Sequence, residues 1–247
     1  MKHPKNKLQN LRDYNLKETR KKIRFSVKNE NLIIQSVNSL EELNKTANTL
    51  SKRLREWYAH YCPEIVKKIQ DHEQFCNEII NKPKKELMKL YDSKKEPMGA
   101  ELEKPDVDEI INLACLTQHH YSMINSQKDY IERIVKKTCP NVYELTKGLI
   151  GAQLIEHAGS LKNLASMSAS KLQLLGAEKA LFRHLRTGAK SPKHGLLIQH
   201  QYVAQAKQKG RAARHLADKI VIAARVDYFK GEYIGDKLRK ELESKTK

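Results

Sequence analysis

Residues 39–61 read SLEELNKTANTLSKRLREWYAHY, and this stretch decides the fold class. Leu40, Leu43, Ala47, Leu50, Leu54, Trp57 and Tyr61 recur at alternating steps of three and four residues. That is heptad spacing, which lays one apolar seam along a helix and demands a partner across it. Ser39 and Glu42 have the spacing of a capping box, so the helix is expected to begin there.

Working outward, Pro63 suits the first turn of a following helix, with Ile65, Ile69, His72, Cys76 and Ile79 on one stripe. Residues 81–105 carry Pro83, Pro97, Gly99 and Pro105 among many charges, and are expected as an exposed tip. A second seam follows through Val107, Ile110, Ala114, Thr117, Tyr121, Ile124, Lys128, Ile131, Val135 and Thr138. Two seams flanking a charged tip predict an antiparallel helical coiled coil over residues 39–139. Leu43, Leu50, Leu54, Trp57, Tyr121, Ile124 and Ile131 are its expected contacts, and those of a dimer. A two-helix hairpin buries little alone, so a second copy or a neighbouring domain must cover it.

Before the seam, residues 1–38 read as a basic arm and linker. The first 24 residues hold nine Lys or Arg against two acids, Asp13 and Glu18. Phe25 to Val37 fits either a hairpin or a helix. After the seam, residues 140–247 form a second helical domain. Pro140 closes the arm, and Asn141 with Glu144 reads as the next cap. Small residues cluster at Ile150-Gly151-Ala152 and His157-Ala158-Gly159-Ser160, where helices can approach closely. Helices are expected over Arg211–Asp227 and from Glu232 to about Glu243. The whole chain reads as all-α.

The net charge is +18, which a protein tolerates most readily beside a polyanion. Lys179, Arg183, Arg186, Lys190, Lys193, Lys207, Lys209, Arg211 and Arg214 follow one another without one Asp or Glu between them. Scattered surface charge would alternate in sign, as it does in residues 63–109. Lys179, Arg183 and Arg186 share a helix face, with Leu181 and Leu185 expected on the core side. Phe182 fits a core aromatic better than a base-stacking one. Thr187 to Gly195 is a loop with amides between basic side chains, suited to gripping phosphate or a splayed base. The RNA contacts expected are Lys179, Arg183, Arg186, Lys190, Lys193, His194, Arg211 and Arg214.

Enzyme readings lack their parts. No Gly-rich or Walker-type phosphate cradle is present, so nucleotide-driven chemistry has no seat. Cys62, Cys76, Cys115 and Cys139 form no C-x-x-C pair and read as reduced, small buried hydrophobes. His72 and Cys76 share a helix face without a second pair at zinc spacing. No catalytic residue, cofactor or metal is expected. No apolar run suits a membrane span or a leader, so a soluble, intracellular protein is expected.

Leu175 to Lys190 (LGAEKALFRHLRTGAK) resembles the signature of the Nop domain. So do Ser191-Pro192-Lys193-His194-Gly195, His157-Ala158-Gly159-Ser160-Leu161, Arg53 to Tyr58 and Ala223 to Phe229. This is the scaffold family of box C/D ribonucleoproteins, and the form is most similar to the archaeal one. The resemblance runs from about residue 30 to 243. It implies an all-α fold, dimerisation through a coiled coil, and binding of kink-turn guide RNA jointly with a small kink-turn-binding protein. It places Gly176, Ala177, Glu178 and Lys179 at that joint interface, and Ala180–Arg183 near the end of the guide–substrate duplex. Ribose 2′-O-methylation of rRNA or tRNA would be carried out by fibrillarin, a separate enzyme. It also favours helices for residues 17–38.

Two departures accompany the match. Only about 38 residues precede the coiled coil, with no counterpart of the family's fibrillarin-docking domain among them, so fibrillarin binding is not expected of these residues. Val203 to Lys209 is shorter and more polar than the family's loop, so that loop's contacts are not carried over. The missing charged tail points to a cytoplasmic, archaeal setting. The competing readings are a spliceosomal-type Nop protein and a helical hub whose basic face meets acidic proteins.

Overall fold

A computed structural model describes residues 4–91 and 98–244. Within the expected tip, residues 92–97 lie outside the described residues, as do residues 1–3 of the arm and the last three residues. Among the described residues every regular element is helical. In chain order these are α1 (Pro4–Ser26), α2 (Asn29–Tyr61), α3 (Pro63–Lys68), α4 (His72–Asn81), α5 (Lys84–Leu90), α6 (Lys104–Thr138) and α7 (Pro140–Ala158). Then come α8 (Leu161–Ser166), α9 (Ala169–Gln173), α10 (Glu178–Thr187), a 3-10 turn (Leu196–Gln199), α11 (Gln201–Ala204), α12 (Lys209–Phe229) and α13 (Gly235–Ser244).

The chain divides into two compact units: residues 36–130, and residues 1–35 with 131–247. In the first, Leu54, Tyr58, Cys62, Ile65, Phe75 and Ile110 form the core, with Tyr58 and Phe75 edge to face at 5.4 Å; Leu87 and Met88 of α5 join it, so this part of the expected exposed tip is buried. Arg55 holds the α3–α4 connection. Its guanidinium donates to His72 Nδ1 (2.7 Å) and to the carbonyls of Val66, Gln70 and Asp71, while lying 4.6 Å from the centre of the Phe75 ring. The planar fork has five donors, and four of these bonds use it fully enough to fix a bend that has no sheet to lean on.

In the long helices one open reading is resolved as helix and two expectations need correction. Residues 25–37 contain no hairpin: α1 stops at Ser26 and α2 begins at Asn29, where Asn31 Oδ1 accepts the Lys28 N–H at 2.8 Å. Ser39 therefore lies inside α2 and caps nothing, and Glu42 pairs with Lys45 on the outside. The seam also drifts. Trp57 is 38% exposed, whereas Ser51, Leu54, Tyr58 and Cys62 are buried, and Leu43 and Leu50 are only half-buried. A straight helix turns about 20° per heptad away from a strict 3.5-residue repeat. Two heptads past Leu40, the buried edge has moved one residue along. On α6, Ile110, Ala114, Thr117, Ile124 and Ile131 are buried as the second seam requires, Tyr121 is half-buried against Ser51 (2.9 Å), and Lys128 is exposed.

In the second unit α12 is the central helix, with α7, α8, α9 and α13 packed on it. Its buried side is rich in small residues (Ala212, Ala213, Ala217, Ala223, Ala224) between Leu216, Ile220 and Val221, which lets neighbours approach closely. α7 starts on Cys139 as N-cap with Pro140 at the first turn, so Asn141 is not the cap. Instead its side chain and backbone bond to Asp227 of α12. Glu30 of α2 likewise accepts the Leu161 N–H (2.8 Å) at the start of α8. α7 is kinked at Lys147, whose φ of 59° and ψ of −172° belong to glycine's territory. The groups freed by the kink are re-satisfied: Glu132 accepts the Gly148 N–H, and His200 Nε2 meets the Leu145 carbonyl, both at 2.8 Å.

Candidate nucleic-acid interface

The basic segment is built on three supports. First, α9 hands over to α10 through Gly176, at φ 83°, where an added Cβ would meet Leu196 Cγ at 2.5 Å. Only glycine has both the backbone freedom and the room. Glu178 Oε1 accepts the Gly176 N–H (2.7 Å) and lies 4.0 Å from His157 Nδ1, so the acid beside the cations is occupied locally. Second, Gly188, at φ 69°, ends α10 and donates to the His184 carbonyl at 2.9 Å. Third, the loop returns to the core by two backbone bonds of 2.8 Å, Gly195 N–H to Gln173 O and Leu196 N–H to Leu175 O. Gln173 Nε2 donates to the carbonyls of Lys193 (2.7 Å) and Gly210 (3.2 Å), locking the loop to the first turn of α12.

α10 differs from its expectation. It contributes no buried residue: Leu181 is half-buried, while Phe182 and Leu185 are 68% and 70% exposed. The buried leucines of this region, Leu172, Leu175 and Leu197, come from the segments on either side of the helix. Its outer surface therefore sets two large apolar side chains beside exposed Lys179, Arg183 and Arg186. Apolar surface adjoining guanidinium groups suits stacked bases and the phosphates that carry them.

The remaining cations open onto a cleft of about 860 Å³. Lys193, His194, Lys207, Lys209, Arg211 and Arg214 line it, with Ser170, Gln173 and Gln208. Lys190 is exposed and does not line the cleft, nor do the α10 cations. Gln208 at the N-cap of α12 makes no side-chain cap bond, and the first turn holds no acid. The positive end of the helix thus coincides with Lys209 and Arg211, an arrangement that repels itself and attracts an anion. Of the nine basic residues from Lys179 to Arg214, only Arg214 pairs with a carboxylate among the described residues, Asp218 at 3.5 Å; it also donates to Ser170 Oγ. The other eight have no carboxylate partner among the described residues. Sequence reasoning missed Ser170, Gln173 and Gln208, since nothing in their local sequence shows that α9 and α12 converge.

Among the described residues no three His, Cys, Asp or Glu side chains converge as a metal-binding group, and no helix is long and apolar enough to cross a membrane. His72 Nδ1 is taken by Arg55, and burial pushes the Cys76 thiol up to about 12. Cys115 is exposed, against the expectation that all four cysteines are buried, and burial raises Cys62 and Cys139 as well. Thiols so raised stay protonated and are poor nucleophiles.

Comparison with known proteins bears on this surface. The Nop family model, described as snoRNA binding domain, fibrillarin, matches residues 39–247. An uncharacterized NOP5 family protein of Methanocaldococcus jannaschii is 39% identical over 239 residues, covering 90% of this chain and 58% of that protein. Nucleolar protein 56 of Homo sapiens is 35% identical over 255 residues, covering 92% of this chain and 42% of its own length. The chain thus spans about half the length of the curated relatives it matches. A solved fibrillarin/Nop5p complex contains a chain similar in fold, with a TM-score of 0.56 at 22% identity, covering 98% of this chain and 80% of that one.

Proposed function

The chain belongs to the Nop family, and from that premise we propose that it is the RNA-binding scaffold of a box C/D guide ribonucleoprotein. One observation carries the reading: eight cations in an acid-free segment, from α10 to the start of α12, have no carboxylate partner among the described residues. A surface of that kind gains most of its binding energy from phosphate, and loses it as salt rises.

In this reading Gly176–Lys179 meets a kink-turn RNA together with a small protein already bound there. Phe182, Leu185, Arg183 and Arg186 face the nearby duplex end, and the α12 cleft takes backbone phosphates through Lys193, Lys209 and Arg211. Two copies pair through the coiled-coil unit, where Trp57 and Leu50 retain exposed area. The chain positions RNA; a separate fibrillarin subunit transfers the methyl group to a ribose 2′-hydroxyl of rRNA or tRNA.

A gel-shift titration with kink-turn RNA, with and without the small partner, tests this. The account expects a tight complex only with both present. Equal shifts of an unstructured RNA, or none at all, would favour a hub that meets acidic proteins.

A further inference from the structure

Helix α1 is not used by the scaffold reading. Its side chains from Lys7 to Ser26 are exposed, apart from half-buried Glu18. Lys7, Tyr14, Lys17, Lys21 and Phe25 follow at steps of seven, three, four and four, so they share one face, with Arg24 at its border. Tyr14 and Phe25 are 62% and 80% exposed. Glu18 lies on this face, four residues from Tyr14 and seven from Phe25, and pairs with Lys21 at 2.9 Å, while Asp13 sits at its edge beside Arg24, so cations outnumber acids there.

Like charges four residues apart repel, and exposed aromatics interleaved with them gain nothing from water. A polyanion that also carries π-faces relieves both at once. A membrane surface calls for a continuous apolar side opposite the charges. Here the aromatics sit among the cations, and the opposite side, with Leu8, Leu11, Leu16 and Ile23, is interrupted by Arg12, Asn15 and Lys22. An acidic protein would answer the charges and leave the rings unexplained.

We propose that this face of α1 binds single-stranded RNA, with phosphates on Lys7, Lys17, Lys21 and Arg24 and unpaired bases on Tyr14 and Phe25. It rests on the scaffold reading only for the presence of RNA. At about 1.5 Å per residue the face is roughly 27 Å long. That gives room for about eight stacked nucleotides at roughly 3.4 Å each.

The test is fluorescence anisotropy of a labelled uridine-rich strand of about ten nucleotides with the full chain, between about 50 and 200 mM salt. Lys17→Gln/Lys21→Gln/Arg24→Gln is expected to weaken binding about tenfold and flatten the log–log salt slope by about two. Tyr14→Ala/Phe25→Ala is expected to weaken it about tenfold at unchanged slope. Wild-type affinity in both variants overturns the proposal. So does a wild-type chain that ignores the strand but binds phosphatidylglycerol vesicles through these residues. A chain that assembles on kink-turn RNA yet ignores the strand sinks this inference alone. One that binds the strand through α1 but never the kink-turn sinks the scaffold reading alone.

Discussion

Asp227 accepts both the backbone N–H of Asn141 (3.1 Å) and its side-chain amide (2.7 Å), so a carboxylate on α12 caps α7 across 86 residues of sequence. Asp227 Oδ2 also takes the Val142 N–H at 2.9 Å, and Asn141 Oδ1 accepts from Ile234 at 2.7 Å. The pair thereby ties together α7, α12 and the entry to α13, the frame on which the basic cleft is mounted. Asp227→Ala leaves three donors unanswered in a half-buried site and is expected to cost about 3 kcal/mol. Urea denaturation measures it, with an unchanged slope expected.

The kink of α7 stores strain. Lys147→Gly relieves a conformation costing about 1–3 kcal/mol and gives back about 0.5–1 in chain entropy. A net gain of about 1 kcal/mol is expected. At the next position Gly148→Ala does the reverse: its Cβ would lie 2.6 Å from Glu132 Cα, and about 2–3 kcal/mol should be lost. Thermal melts of the two variants should move in opposite directions.

His200 sets a pH dependence. Burial lowers its pKa, against the raising effect of its bond to the Leu145 carbonyl, and Nδ1 accepts the Tyr202 N–H at 3.2 Å. The neutral ring serves both bonds. Between its lowered value and the ordinary value of about 6.5, the unfolded chain binds more protons than the folded one. Stability therefore rises with pH through that window and is complete above it. Denaturation midpoints should fall as pH drops below about 6.5, and fall less in His200→Gln.

Phe182 and Leu185 separate binding from folding. Because α10 buries nothing, Phe182→Ala/Leu185→Ala should change stability by less than about 1 kcal/mol. The same variant should weaken the RNA–protein complex at least tenfold if those side chains stack on bases. Paired calorimetry and gel shifts check both halves.

Much of this was legible in the residues. The heptad steps place α2 and α6, and the acid-free run marks the cationic segment before any coordinates. Trp57 was misplaced because a heptad template ignores the drift of a 3.6-residue helix, and Tyr58 took its burial. Asn141 was misread because local spacing cannot show that Asp227 arrives from another helix. The Phe182–Leu185 surface was read as core since amphipathicity names an apolar side without saying what covers it. The cleft was half visible: its cations stand in sequence, while Gln173, which joins the loop to α12, is set only by tertiary structure.

The central claim is that the α10 cations meet folded RNA. The most direct measurement is assembly of Arg183→Glu/Arg186→Glu with kink-turn RNA and the small partner at moderate salt, alongside its mass by light scattering. The account predicts loss of the three-component complex with the protein's own mass and melting temperature unchanged. A double variant that assembles as the wild type does would contradict it.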